Sequence, residues 1–517
     1  MLPLATVEWK DALTLKNVFA LAVPEAVLLG VACAVFLGGT VWRNRHLWAG
    51  VSLTALAAAA ALAWFQVVPA GVKPAESPLL PDALAAFIRW VALAGGGIYV
   101  LLNWNEVSDG VAADFHACFL VLIAGVSFAG AANELITLFL SLELVSIPTY
   151  VLLYLPRTGK RAQEAAIKYF LLSIFSSALL LFGFSYLYGV SGTTNLSELF
   201  ALLDSPKAPA ASGLFLVAFV MVIAGLGFRI TAVPFHFYAP DVIQGAPTGV
   251  AAVLAFLPKV AGFAALIRVL GLLQGGAVSG VFTETQVVLL LWILAVITMT
   301  VGNVLAVVQN NLRRILAYSS VAHAGYMLIG LAAAPELKGP ALEALLFYLI
   351  AYGAMTIGAF ALLSYLTTPT REVEMVDDLA GLGRTHPGLA LMMTVVLFSM
   401  IGMPLTAGFA GKFQLFFSAI AVERLPGQQP LFVILGVVAA INGAIGAYYY
   451  LRIVAAMFLR DALKPLQPKF QVPALAAAAI CAVLTIGFGV YPKPLTEAVR
   501  HAFAPPAPVS VTVSAQP

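Results

Sequence analysis

Residues 227–248 read GFRITAVPFHFYAPDVIQGAPT, placing an arginine, a histidine, an aspartate and three prolines inside a long apolar region. In hydrocarbon each polar group is costly, and each proline removes a backbone donor together with the bond it would make. Such a segment persists only where protein or water, rather than lipid, satisfies the freed backbone groups. The stretch therefore reads as a helix broken inside a bundle, with ionisable side chains beside the break.

A second stretch has the same character. Residues 399–417, SMIGMPLTAGFAGKFQLFF, interrupt an apolar run with Gly402, Pro404, Gly408 and Gly411 and carry Lys412 next to the interruption. Two broken helices, each with a basic residue at the break, are the mark of a transporter built from repeated halves.

The surroundings agree. Hydrophobic residues make up 62% of the 517 and charged residues 10%, whereas a soluble domain is about a quarter charged. Fourteen apolar runs recur near 19–41, 47–69, 84–103, 113–131, 133–155, 165–189, 212–236, 246–270, 284–306, 312–333, 341–366, 388–420, 430–459 and 472–492. Each is at least about as long as the roughly 20 residues a helix needs to cross a bilayer. Short alternating segments of barrel type do not occur. The expected fold is an all-α polytopic membrane bundle of about 14 transmembrane helices, with helices 7 and 12 broken.

With the N-terminus outside, the cytoplasmic connections hold 12 Lys and Arg and the opposite side 8, the other 7 of 27 lying within spans. That asymmetry favours both termini on the outer side. Connections are short except near 70–83, 190–211 and 367–387, the last of which is charged. Cys33, Cys118 and Cys481 fall inside spans at spacings that suit neither a disulfide framework nor a metal site. No dinucleotide-binding glycine turn, P-loop or cysteine cluster is found. The chain by itself is expected to bind no cofactor or metal, and its work is expected to lie inside the membrane.

The ionisable residues at membrane depth are the candidate site. Glu143, in LSLELVSIP, is about ten residues from either end of its span, some 15 Å from either surface. A carboxylate there must be neutral, paired or beside water. Lys168, at the start of the sixth span, is a candidate ion-pair partner for it. Lys259 sits mid-span directly after Pro258, where a lysine can exchange its proton. Arg229 and Lys412 flank the two breaks. His236 and His323 can gain or lose a proton near neutral pH, and His323 shares its helix with Tyr318, Ser319, Ser320 and Tyr326. Snorkelling toward the interface is the expected behaviour of Arg89, Arg268 and Arg452.

Several long, ordered stretches resemble the antiporter-like membrane subunits of respiratory complex I, the bacterial NADH–quinone oxidoreductase. They are SLELVSIPTYVLLYL, EAAIKYFLLSIFSSALLLFGFSYLYGVSGTT, VPFHFYAPDVIQGAPT, NLRRILAYSSVAHAGYMLIG, DDLAGLGRTHP and GMPLTAGFAGKFQLFFSA. Together they cover nearly everything from about 130 to 460, and DVIQGAPT is similar to the subunit N branch. The resemblance implies two inverted five-helix repeats, helices 4–8 and 9–13. The corresponding division is 1–112, 113–270, 284–460 and 472–517. It further implies a Glu143–Lys168 charge pair, a central Lys259 and a basic Lys412 on broken helix 12. On broken helix 7 the family usually has lysine where this chain has Arg229, which as a guanidinium would act as a fixed cation.

The implied activity is proton translocation as a subunit of NADH:quinone oxidoreductase, a translocase, with no redox centre in this chain. FMN, iron–sulfur clusters and quinone would belong to partner subunits. Expected partners are other membrane-arm chains, antiporter-like M-type and small K/J-type, together with the lipid of a bacterial inner membrane; no nucleic acid is expected. The alternatives are a subunit of a multi-chain cation/proton antiporter, a relative fed by ferredoxin, and a structural scaffold whose charges only hold neighbours together.

Overall fold

Helix ends in this chain fall where the sequence supplies caps and breakers. The computed structural model describes residues 16–66, 77–155, 159–203, 212–271, 284–334, 339–368, 371–421, 429–462, 466–468 and 470–503. The first helices are α1 (Val23–Gly38), α2 (Arg45–Trp64), α3 (Ala83–Asn103), α4 (Ala112–Ala131), α5 (Leu135–Tyr154) and α6 (Lys160–Ser191). Next come α7a (Ser212–Ile230), α7b (Ala239–Gly245), α8 (Thr248–Leu270), α9 (Glu284–Val307), α10 (Leu312–Ala332) and α11 (Pro340–Leu366). The last are α12a (Pro387–Ile401), α12b (Ala407–Ile420), α13 (Gln429–Leu459), α14 (Val472–Val490) and α15 (Lys493–Ala502). Asn44, Asp82 and Asn311 start α2, α3 and α10 by accepting hydrogen bonds from the first backbone N–H groups, which have no partner within the helix.

Among the described residues, 12 helices are long and apolar enough to cross a membrane. The shorter apolar helices α1 and α12a occupy the first and twelfth of the expected runs. The first half of the loop near 70–83, the end of that near 190–211 and the tail beyond 503 lie outside the described residues. The charged connection near 367–387 is tied to the end of α13 by the ion pairs Arg460–Asp377 and Arg384–Asp461.

Helices α8 and α10 are buried along their whole apolar windows and α11 nearly so. They form the centre of the bundle, and most other helices turn a broad apolar face outward, as lipid-solvated helices do. A helix buried all round must find every polar side chain a partner inside the protein, which is what concentrates the candidate site there.

Both interruptions have local causes. At the first, α7a ends at Ile230, Thr231 takes φ 60°, and the chain runs through a cis Val233–Pro234 bond before α7b begins. At the second, Gly402 takes φ +97°, a left-handed conformation that glycine adopts without penalty at a helix C-terminus. Ser399 Oγ on α12a then accepts the Gly408 N–H of α12b at 2.9 Å. A Cβ on Gly408 would lie 1.9 Å from the Ser399 carbonyl oxygen. Gly408→Ala is therefore expected to force the two half-helices apart, at a cost of about 1–3 kcal/mol, read as a lower unfolding midpoint of the purified assembly.

The three arginines expected to snorkel all find partners within the protein. Arg89 on α3 donates to Glu25 of α1 at 2.6 Å and to Gln66, and Glu25 is 1% exposed. Arg268 pairs with Asp82 at 2.5 Å and also donates to the Gly130 carbonyl oxygen, while Arg452 donates to the Gln309 carbonyl at the end of α9. Only Arg89 has a fully buried carboxylate partner, where a charge is retained because it is paired; Arg268 and Arg452 are held by groups at helix ends. A second element unforeseen in the sequence is α15, an amphipathic helix in the segment expected to be only a tail. Its Leu495, Val499 and Ala502 are buried, and Lys493 and Arg500 are exposed.

Candidate functional site

Glu143 projects from the middle of α5 toward α6 and α7a. Its Oε1 accepts from Arg229 Nη2 at 3.0 Å and from the Ser177 hydroxyl of α6, and the same Arg229 Nη2 lies 3.0 Å from Ser177 Oγ. Arg229 is 2% exposed, whereas the Glu143 side chain keeps 21% of its surface accessible. Arg229 Nε and Nη1 are buried without a hydrogen-bond partner among the described residues. One nitrogen of the guanidinium thus serves both partners.

The expected Glu143–Lys168 pair is not formed. Lys168 donates to Asp241 of α7b at 2.9 Å and lies 2.6 Å from Glu164 one turn earlier on α6. The reason is axial position. Ser177, which meets Glu143, is nine residues further along α6, about 14 Å at the rise of an α-helix. Asp241 also accepts from Arg314 of α10 at 2.7 Å. Lys168, Asp241, Glu164 and Gln244 line a polar cavity of about 210 Å³ that also includes Arg161.

Lys259 and Lys412 are joined by aromatic and hydroxyl side chains. Lys259 is 0% exposed; its Nζ donates to the Ser320 carbonyl oxygen of α10 and lies 5.3 Å from the centre of the Tyr352 ring of α11. Tyr352 OH donates to the Ala255 carbonyl oxygen, in the turn before Pro258, at 3.0 Å, and lies 2.8 Å from Ser320 Oγ, which can donate to it in turn. The His323 ring is 5.2 Å from the Tyr352 ring. Its Nδ1 is 2.5 Å from Tyr348 OH and its Nε2 is 3.1 Å from Tyr450 OH.

Lys412 closes the row. Its Nζ donates to the carbonyl oxygens of Met400 at 2.7 Å and Ile401 at 3.0 Å, and lies 4.8 Å from the Tyr326 ring centre, itself 5.8 Å from His323. Those two carbonyls end α12a and have no helical donor, so the break provides a partially negative seat for a cation. The sequence Lys259, Ser320 and Tyr352, His323, Tyr348 and Tyr326, Lys412 is a buried polar axis crossing α8, α10, α11 and α12.

His236 lies apart. It is half-buried on the connector between α7a and α7b, and no hydrogen bond among the described residues links it to the other candidates. Sequence reasoning missed Ser177, Tyr348, Tyr352 and Tyr450. A signal for two of them exists: Tyr348 and Tyr352 are four apart in an apolar run, which puts both hydroxyls on one face of the helix. Among the described residues no group of three metal-ligating side chains comes together.

The transmembrane family described as NADH:quinone oxidoreductase/Mrp antiporter matches residues 132–447. The chain belongs to that family. Within this NADH:quinone oxidoreductase/Mrp antiporter family it groups with the subunit N chains. It is 37% identical over 461 residues to NADH-quinone oxidoreductase subunit N 1 of Solibacter usitatus, a match spanning 87% of this chain and 89% of that one. It is 34% identical over 479 residues to NADH-quinone oxidoreductase subunit N 2 of Rhizobium meliloti, spanning 91% and 95%.

Among solved structures, a chain of respiratory complex I from Thermus thermophilus with bound aureothin superposes with a TM-score of 0.75 at 30% identity, covering 92% of this chain and 99% of that one. A chain of the Mrp complex from Dietzia shares the family's fold, with a TM-score of 0.80 at 21% identity, covering 95% and 97%. As a member of this family the chain is a multi-pass bacterial membrane protein whose relatives work inside larger membrane assemblies.

Proposed function

We propose that the chain is a proton-translocating membrane subunit of NADH:quinone oxidoreductase, carrying protons along the Lys259–His323–Lys412 axis. The observation that supports this most directly is that Lys259, His323 and Lys412 form one row through helices otherwise buried and apolar, spaced by the rings of Tyr352 and Tyr326. A lysine ammonium, an imidazole and phenol hydroxyls can each hand on a proton, and water between them would complete the relay.

Glu143 and Arg229 act on the relay through their field. Unit charges about 4 Å apart interact by roughly 4 kcal/mol at an effective dielectric near 20, and about 1.4 kcal/mol shifts a proton equilibrium tenfold. Opening or closing that pair therefore suffices to load or unload a neighbouring site. Water bound at the two unpartnered N–H groups of Arg229 would extend the polar path from this pair toward the axis. Asp241 and Lys168, in their cavity at the start of α6, form the mouth by which protons enter; His236 on the connector between α7a and α7b is a separate acceptor.

On this reading the two broken helices belong to inverted repeats of helices 4–8 and 9–13, covering 113–270 and 284–460. They sit between the N-terminal helices of 1–112 and the C-terminal segment 472–517. Both termini lie on the outer side of a fourteen-span bundle. Electrons pass from NADH through FMN and iron–sulfur clusters to quinone in partner subunits. M-type and small K/J-type chains are the neighbours in the membrane arm.

The test is His323→Phe, which keeps an aromatic ring and removes both nitrogens. Proton pumping by the reconstituted complex is expected to fall roughly tenfold or more, about 1.4 kcal/mol in barrier, with assembly unchanged. Native pumping in this variant would break the proposed axis at its centre. Copurification with flavin and iron–sulfur subunits supports this reading over a cation/proton antiporter, which would come with membrane chains alone.

A further inference from the structure

A large apolar groove lies away from the polar axis. It has a volume of about 550 Å³ and runs between α3, α11 and α14, with α15 across one end. Small side chains open it, among them Ala86, Gly95, Gly353 and Ala354, and its lining is apolar apart from the Trp90 indole and His501. Its wall on α3 extends from Ala83 to Ile98, about 22 Å of helix. One leaflet of the hydrocarbon core is about 15 Å deep, so the groove is as long as one extended acyl chain.

The end closed by α15 has the opposite chemistry. His501 lines the groove and is exposed, and no side-chain hydrogen bond engages it among the described residues. Arg500 is 67% exposed and donates only through Nε, to Glu343 of α11 at 3.2 Å, which leaves both Nη groups for another acceptor. The His501 imidazole at the end of the groove, with the Arg500 guanidinium next to it in the chain, complements a phosphate attached to an acyl tail.

We propose that this groove is a binding site for one membrane phospholipid, its tail between α3 and α11 and its phosphate on Arg500 and His501. A void of this size would forfeit the dispersion contacts of everything lining it, and apolar walls offer water no partners. The site also touches the machinery. Its floor is Phe256, three residues before Lys259, and Gly353, which follows Tyr352. A Cβ on Gly353 would lie 2.5 Å from the Phe256 ring, so α8 and α11 are closed together at this point. A tail packed on Phe256 completes a dry wall between the lysine and the lipid phase.

The test uses the assembled complex in nanodiscs containing phosphatidylglycerol with a diazirine at the end of one acyl chain. In the native complex, photoadducts are expected on residues 83–98 and 350–357, in excess over the flat outward faces of α6 and α13. Ala354→Trp fills the groove and is expected to lower that yield roughly fivefold or more, and Arg500→Ala with His501→Ala to lower it by roughly the same factor. Native-complex adducts no denser here than on the flat faces would overturn the proposal whatever the variants do. So would a yield that Ala354→Trp leaves unchanged, or a neighbouring protein chain found seated in the groove.

Discussion

Lys259→Arg in the assembled complex is expected to abolish proton pumping while leaving the subunit in place. The side chain is 0% exposed, and its Nζ is held by the Ser320 carbonyl oxygen beneath the Tyr352 ring. Arginine would preserve the positive charge and the donor. It does not give up its proton in a protein, so a relay passing through this position would stop. Lys259→Met preserves most of the volume and removes the charge, and is expected to give the same loss by the opposite route. In proteoliposomes driven by NADH and quinone, both variants should acidify the lumen about 100-fold more slowly, close to 2.7 kcal/mol in barrier. Pumping within a factor of two of native in both would remove Lys259 from the path. Pumping retained by arginine alone would reduce its role to that of a fixed charge.

What the sequence made legible and what it hid divide along a physical line. The breaks at α7 and α12 were readable because proline and glycine act locally: Pro234, Pro404 and Gly402 dictate where a helix ends without help from distant residues. Lys259 and Lys412 stood out because an ammonium in an apolar run is costly enough to need a reason. The partners of those charges were not readable. Glu143 was matched with Lys168 on the ground that both lie on adjacent helices, but pairing depends on axial height, and nine residues of α6 separate Lys168 from the residue that meets Glu143. Arg89 and Arg268 were expected to reach for the interface because they lie toward the ends of their spans, and their partners Glu25 and Asp82, 64 and 186 residues away in sequence, were not readable. Tyr348, Tyr352 and Tyr450 were hidden for a different reason. Tyrosine is common at membrane interfaces and in cores, and only the fold reveals that the hydroxyls of Tyr348 and Tyr450 meet the His323 ring while the Tyr352 ring lies beside it.

Arg229 permits an experiment in which structure and electrostatics come apart. Both of its hydrogen bonds leave from Nη2, to Glu143 Oε1 at 3.0 Å and Ser177 Oγ at 3.0 Å. A lysine ammonium carries three donors on one nitrogen, so Arg229→Lys can reproduce both bonds and the charge. It is expected to pump within about twofold of native, or 0.4 kcal/mol in barrier. Arg229→Met leaves Glu143 without its cation. Removing one member of a buried pair costs about 3–5 kcal/mol; here the lower end applies, because the Glu143 side chain keeps 21% of its surface accessible. Glu143→Gln in the same chain removes the uncompensated charge, and the double variant should recover most of that stability in a thermal melt of the complex. It should not recover pumping. With neither charge present there is no pair whose opening can bias Lys259, however well the helices pack. If the double variant regained native pumping along with native stability, the pair would be a structural staple, and the field acting on the lysine would have to come from Asp241, Lys168 and Arg314 instead.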